Sequence, residues 1–109
     1  MRKILGALII ISGLCLFVVA VSADETSREP SGESAFNQYC MVCHPGGGNI
    51  FDPAKTLHKK DLEANNIKSP GDIVKLIRNP GPQMTSFDKN VIPDNLAKQI
   101  AEYVLSTFK

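Results

Sequence analysis

Cys40, Cys43 and His44 stand in the run CMVCH: two thiols three positions apart, with an imidazole directly after the second. Thiols at this spacing serve thiol–disulfide exchange, metal coordination or covalent capture of a prosthetic group. Exchange of the thioredoxin type places C-x-x-C at a strand-to-helix junction in a βαβ unit, and nothing around residue 40 alternates like a strand. A zinc site counting Cys40, Cys43, His44 and distant His58 puts two ligands on adjacent residues, which rarely turn into one tetrahedron without strain. Covalent capture fits better. One helical turn separates the two sulfurs, so each can form a thioether with one vinyl group on the same porphyrin edge. His44 is then directed at the iron from one face, and C-x-x-C-H is the pattern of c-type haem attachment.

With a single protein ligand, haem iron binds small gases or peroxide; with two strong ligands it mainly shuttles electrons. Two side chains compete for the opposite face. Met84 sits in NPGPQMTSF, a polar loop stiffened by Pro80 and Pro82. That is a poor place for a methionine serving as core filler and a good one for a thioether held against a metal. His58, among Lys59, Lys60 and Asp61, reads as solvated surface, and as a ligand it would give a markedly lower potential. Met41 lies inside the attachment loop and points elsewhere. Asn49 or Pro53 is expected to offer an oxygen to the ring N–H of His44 and fix its tautomer.

The elements that must position these groups are helices. Ala35, Phe36, Tyr39 and Cys40 share one side of a helix over 33–41, which His44-Pro45-Gly46-Gly47-Gly48 breaks. That glycine run lacks the Lys-Ser/Thr and the preceding strand of a phosphate loop; it reads as a tight turn against the prosthetic group. Thr56 caps a short helix over 57–65. Ser69-Pro70 with Asp72 opens a third helix, which carries Ile73, Leu76 and Ile77 and stops at Pro80-Gly81-Pro82. Pro93-Asp94 opens a last helix with the stripe Leu96, Ile100, Tyr103, Val104 and Phe108. The chain reads as all-α, with long loops over 45–55 and 80–93. Such loops in a small domain wrap something functional.

The 109 residues suffice for one small domain. Arg2 and Lys3, an apolar run from Ile4 to Val21, and Val21-Ser22-Ala23 ahead of Asp24 form a secretory signal peptide over 1–23. Two other readings of this segment are a retained anchor and a lipid-bearing Cys15; Leu14, too large for the position before such a cysteine, speaks against the second. Residues 24–31 read as a flexible polar leader and 32–109 as the functional domain. The mature chain keeps Cys40 and Cys43, outside the cytosol, with ten basic residues against eleven acidic. That balance gives no support to a nucleic-acid partner. Membrane contact is then transient or made by an N-terminal anchor. The lysines at 55, 59, 60, 68, 75 and 89 are a solvated surface or part of a docking patch for an acidic redox partner. A domain so short needs a staple or cofactor to complete its interior.

These pieces together resemble the small class I c-type cytochromes, most of all cytochrome c6. The resemblance covers residues 32–109: Gly32 and Phe36 ahead of CMVCH, the glycine-rich loop ending in Asn49, KTLHKKDLE, Met84 forty residues after His44, Phe87, and the final helix with Ile100 and Tyr103. It implies four to five helices wrapped around one covalently bound haem c, axial ligands His44 and Met84, and an exposed haem edge. It also implies that the first and last helices cross near a right angle at Gly32, with Phe36 against Ile100 and Tyr103. Thr85 stands where photosynthetic members usually have proline, and Leu76 where they often carry glutamine. The expected function is a periplasmic mono-haem electron carrier between other redox proteins, in a respiratory or metal-reducing setting; the alternative is a haem-based gas sensor or peroxidase-like protein with an open or displaceable sixth position.

Overall fold

A computed structural model describes residues 28–109. The segment expected to be a signal peptide, Cys15 and the first part of the expected leader lie outside the described residues. Within that range the protein is all-α, as expected: four α-helices and one turn of 3₁₀-helix, with no strand among the described residues. The helices are α1 (Gly32–Tyr39), α2 (Lys59–Ala64), α3 (Pro70–Arg78) and α4 (Asp94–Thr107), and the 3₁₀ turn is Pro45–Gly47.

Each start has a local cause. Ser31 caps α1 by accepting the Ser34 N–H at 3.2 Å. Upstream of it, the Glu29 carboxylate accepts from Asn95 Nδ2 at 3.0 Å, fastening this stretch to α4. Ser69 and Asp72 form a reciprocal capping box on α3, with Pro70 in the first turn. The second helix departs from expectation. It begins two residues later than read, with His58 as N-cap, because Thr56 turns inward: its oxygen accepts the His58 N–H and its hydroxyl donates to the Asp61 carboxylate.

The interior is a wedge formed by α1, α3 and α4. Phe36, Ile92, Ile100 and Val104 are its largest fully buried side chains, joined by Ile73, Ile77, Leu96 and the small Ala35, Ala97 and Ala101. The alanines let the helices approach closely, and Gly32 does so most. A Cβ at residue 32 would stand 2.6 Å from the Gln99 carbonyl carbon and closer still to its oxygen. Phe36 lies 5.4 Å from Tyr103 and 5.4 Å from Phe108, ring centre to ring centre. Such aromatic pairs each contribute about 0.5–1.5 kcal/mol beyond the area they bury.

Phe108 lies past the end of α4 rather than on its stripe. Its carbonyl accepts the Lys59 N–H at 3.0 Å, and its ring stands edge-on to His58. A Cβ on Gly47, which has φ +79°, would fall 2.5 Å from Phe108 Cγ. The end of the chain thus clamps both ends of the 47–58 loop. Ile92 is a core residue that no periodicity announced; Asp88 supplies the turn that buries it, accepting the N–H groups of Asn90, Val91 and Ile92.

Gly32→Ala tests the close approach. Alanine is the better helix former by about 1 kcal/mol, but its methyl meets rigid backbone, so a net loss of about 1–3 kcal/mol is expected in chemical denaturation of the holoprotein. Asp72 tests the capping box. The Lys68 N–H, then the Ser69 hydroxyl and N–H, hold its carboxyl below the usual range. A depressed carboxyl contributes stability above its unfolded pKa, about 3.9, and loses it as pH falls through the folded value. Asp72→Asn is therefore expected to lower the melting temperature at neutral pH, with the gap to wild type closing below about pH 4.

Candidate functional site

Between the wedge and the two long loops lies a cavity of about 430 Å³, well within the size of sites that take small molecules and cofactors. Its floor is apolar: Phe36 from α1, Ile73, Leu76 and Ile77 from α3, and Ile100 and Val104 from α4. Leu57, Leu62 and Ile67 close one side, and Gly81–Met84 another. Asp52, Lys55, Thr56, Asp61 and Asn65 make one stretch of the wall polar.

Cys40, His44, Asn49 and Met84 all stand on this wall. Cys43 does not; it is half-buried one turn further on, and its carbonyl accepts the Ile50 N–H at 3.1 Å. Cys40 ends α1 as its C-cap, which places its thiol where the helix meets the cavity. As a free thiol Cys40 is pushed up to about 11, by burial first and the neighbouring Cys43 second. Among the described residues neither cysteine is in a disulfide.

His44 follows through a tight turn in which its N–H donates to the Cys40 carbonyl at 2.9 Å. Its ring Nδ1 lies 2.7 Å from the Gly48 carbonyl oxygen. A carbonyl can only accept, so Nδ1 carries the proton and Nε2 is left with a free lone pair. This corrects the expectation that Asn49 or Pro53 is the partner of that N–H. The sharp turn at Pro45–Gly47, with Gly46 at φ +61°, brings the residue-48 carbonyl back over the ring. The Asn49 side chain is spent on its own loop instead. Its Oδ1 accepts the N–H groups of Phe51 and Asp52 at 2.9 and 3.1 Å, and its Nδ2 donates to the Lys55 carbonyl at 2.9 Å.

His58, read from the sequence as solvated surface, is half-buried against Phe108 and off the cavity wall. Met41 is 42% exposed, in keeping with a side chain that points away. Met84 is half-buried, in a turn closed by its N–H to the Gly81 carbonyl at 3.3 Å. The apolar floor, the free imidazole nitrogen and the soft thioether suit haem iron, so the residues present fit such a group. The six candidate docking lysines are all exposed, and three of them pair with acids: Lys55 with Asp52, Lys59 with Glu63 and Lys89 with Asp94.

A short helical wedge closing on a cofactor-sized cavity defines a small prosthetic-group protein, and comparison with known proteins says which. Residues 27–104 match the family model described as cytochrome C oxidase, cbb3-type, subunit III. Cytochrome c6 of Cyanidium caldarium is 41% identical over 75 residues, covering 69% of this chain and 67% of its own. Cytochrome c6 of the Nostoc strain PCC 7120 is 31% identical over 106 residues, covering 96% and 93%. Among solved structures, OmcF, the outer membrane cytochrome F from Geobacter sulfurreducens, superposes with a TM-score of 0.70 at 43% identity, covering 72% of this chain and all of its own. Reduced cytochrome 6A from Arabidopsis thaliana gives 0.60 at 31% identity, covering 67% and 85%.

The chain belongs to the class I c-type cytochromes. It binds one covalent haem c with iron, and it is an electron carrier that works with other redox proteins, not an enzyme.

Asn49→Ala removes three hydrogen bonds that shape the 49–55 wall. Their partners can turn to water, so a loss of about 1–2 kcal/mol is expected in the chemical denaturation of the holoprotein.

Proposed function

We propose that this cytochrome works outside the cytosol, in a periplasm, and that its haem is bonded to Cys40 and Cys43 and ligated by His44 and Met84. The observation that carries the reading is the cavity wall. It holds His44, with Nδ1 committed to Gly48, together with Met84.

When bound, the haem supplies reversible one-electron chemistry at its iron. The protein's residues set the terms. The Gly48 carbonyl orients the His44 ring and raises the basicity of Nε2. The Met84 thioether, soft and uncharged, favours the ferrous state and lifts the reduction potential. Phe36, Ile77 and Ile100 exclude water from the interior. Asn49 acts on the group indirectly, by shaping the loop that faces it.

Residues 1–23 direct export, 24–31 lead into the domain, and 32–109 carry the function. That compartment follows from the signal pattern at the start of the chain. The mixed-charge surface, with lysines partly neutralised by neighbouring acids, suits brief encounters with redox partners rather than lasting complexes.

A spectroelectrochemical titration of the mature holoprotein tests the ligand pair. A far-red sulfur-to-iron charge-transfer band is expected in the oxidised wild type. Met84→Ala is expected to abolish it and to lower the potential by on the order of a hundred millivolts, part of the ~0.8 V range that axial ligation spans. A high-spin wild-type spectrum with rapid cyanide binding would instead support a sensor or peroxidase-like protein. An unchanged spectrum and potential in the variant would remove Met84 from the iron.

A further inference from the structure

Phe87, three residues beyond Met84, is where the irregular segment 79–93 is tied back to the helices. Its N–H donates to the Ile77 carbonyl at 2.9 Å, and its carbonyl accepts from Arg78 Nη1 at 3.0 Å. Ser86 Oγ donates to the Arg78 carbonyl at 2.7 Å. Arg78 Nη2 reaches on to Asp94 Oδ1 at 2.9 Å, in the first residue of α4, and the other oxygen of Asp94 holds Lys89 Nζ at 2.8 Å. One guanidinium therefore joins the end of α3, the stretch just past Met84 and the start of α4.

The Arg78 side chain is 16% exposed. Its Nε is buried without a hydrogen-bond partner among the described residues. An unpartnered buried N–H opposes this placement, so the bonds made by the two Nη atoms must hold it there. Lys89 first, and Arg78 second, keep the Asp94 carboxyl below its ordinary range, so the ion pair is formed at neutral pH.

We propose that Arg78 is a positioning residue for Met84: a latch between α3, Phe87 and Asp94 that keeps the thioether facing the iron. The proposal rests on the reading of Met84 as sixth ligand. Arg78 is not on the cavity wall, so it acts through the loop. The turn at Met84 is closed by a bond of 3.3 Å, long for an N–H to a carbonyl. The loop's shape therefore depends on Pro80, Pro82 and its anchored ends. Fastening residues 86 and 87 shortens the unsupported span from 79–93 to 79–85, and a shorter span has fewer alternative conformations to sample. Loosening it raises the fraction of time that Met84 leaves its place.

The test is cyanide association with the oxidised holoprotein, read beside thermal unfolding and potential, in Arg78→Ala, Arg78→Lys, Ser86→Ala and Leu105→Ala. Leu105 packs against the core from α4, away from the cavity wall, and serves as a control for general destabilisation. Arg78→Ala is expected to speed cyanide binding about tenfold, the equivalent of one charge-assisted hydrogen bond, and to lower the potential. Arg78→Lys is expected to recover part of the loss, while Leu105→Ala, though less stable than wild type, keeps the wild-type rate. Should Arg78→Ala fail to fold, Arg78→Lys and Ser86→Ala decide the matter, each with a smaller acceleration. A far-red band in the wild type with unaltered cyanide rates in the folded latch variants would overturn the latch alone. Equal acceleration in Leu105→Ala would overturn it too. Absence of that band in the wild type would sink the ligand reading and the latch together.

Discussion

The α1–α4 contact at Gly32 is the constraint on which the rest of the interior depends. Only a residue without a Cβ lets the start of α1 rest on the backbone of Gln99. That approach sets Phe36 against Tyr103 and Phe108, and it leaves Cys40, at the other end of the same short helix, facing the cavity. Move α1 outward by the width of a methyl group and Cys40 moves with it. A packing requirement at one end of α1 thus sets where the residues at its other end meet the cavity.

Much of the remaining structure serves to shape loops that cannot shape themselves. The 45–58 segment is held by the Pro45–Gly47 turn, by Asn49 and Thr56 within it, and by the end of the chain at Phe108. The 79–93 segment is held by Ile92 in the core and by the bonds of residues 86 and 87 to the end of α3. Each loop therefore has an apolar anchor and a polar one. Burial fixes the loop's position, and directional hydrogen bonds fix its shape.

The site itself is built from backbone as much as from side chains. His44 owes its tautomer to a carbonyl at Gly48, and Phe87 is fastened through its own N–H and carbonyl. Backbone groups are suited to this task, because they cannot change rotamer once the chain around them is fixed. The same preference explains why Asn49, a plausible partner for His44 by proximity in sequence, is found serving its loop instead.

CMVCH, the capping residues at Ser69 and Asp72 and the apolar stripe of the last helix are local patterns. Helix content, haem attachment and family could be read from them because each pattern is decided within a few residues. Ile92 and the Arg78–Asp94 pair could not. Ile92 lies in a loop with no periodicity, and Arg78 and Asp94 lie sixteen residues apart in chain order. Their roles arise only when α3, α4 and the loop between them meet. The identity of the cofactor belonged to the sequence because covalent attachment needs a fixed local spacing, whereas the shape of its surroundings was left to tertiary packing, which joins residues without regard to their distance along the chain.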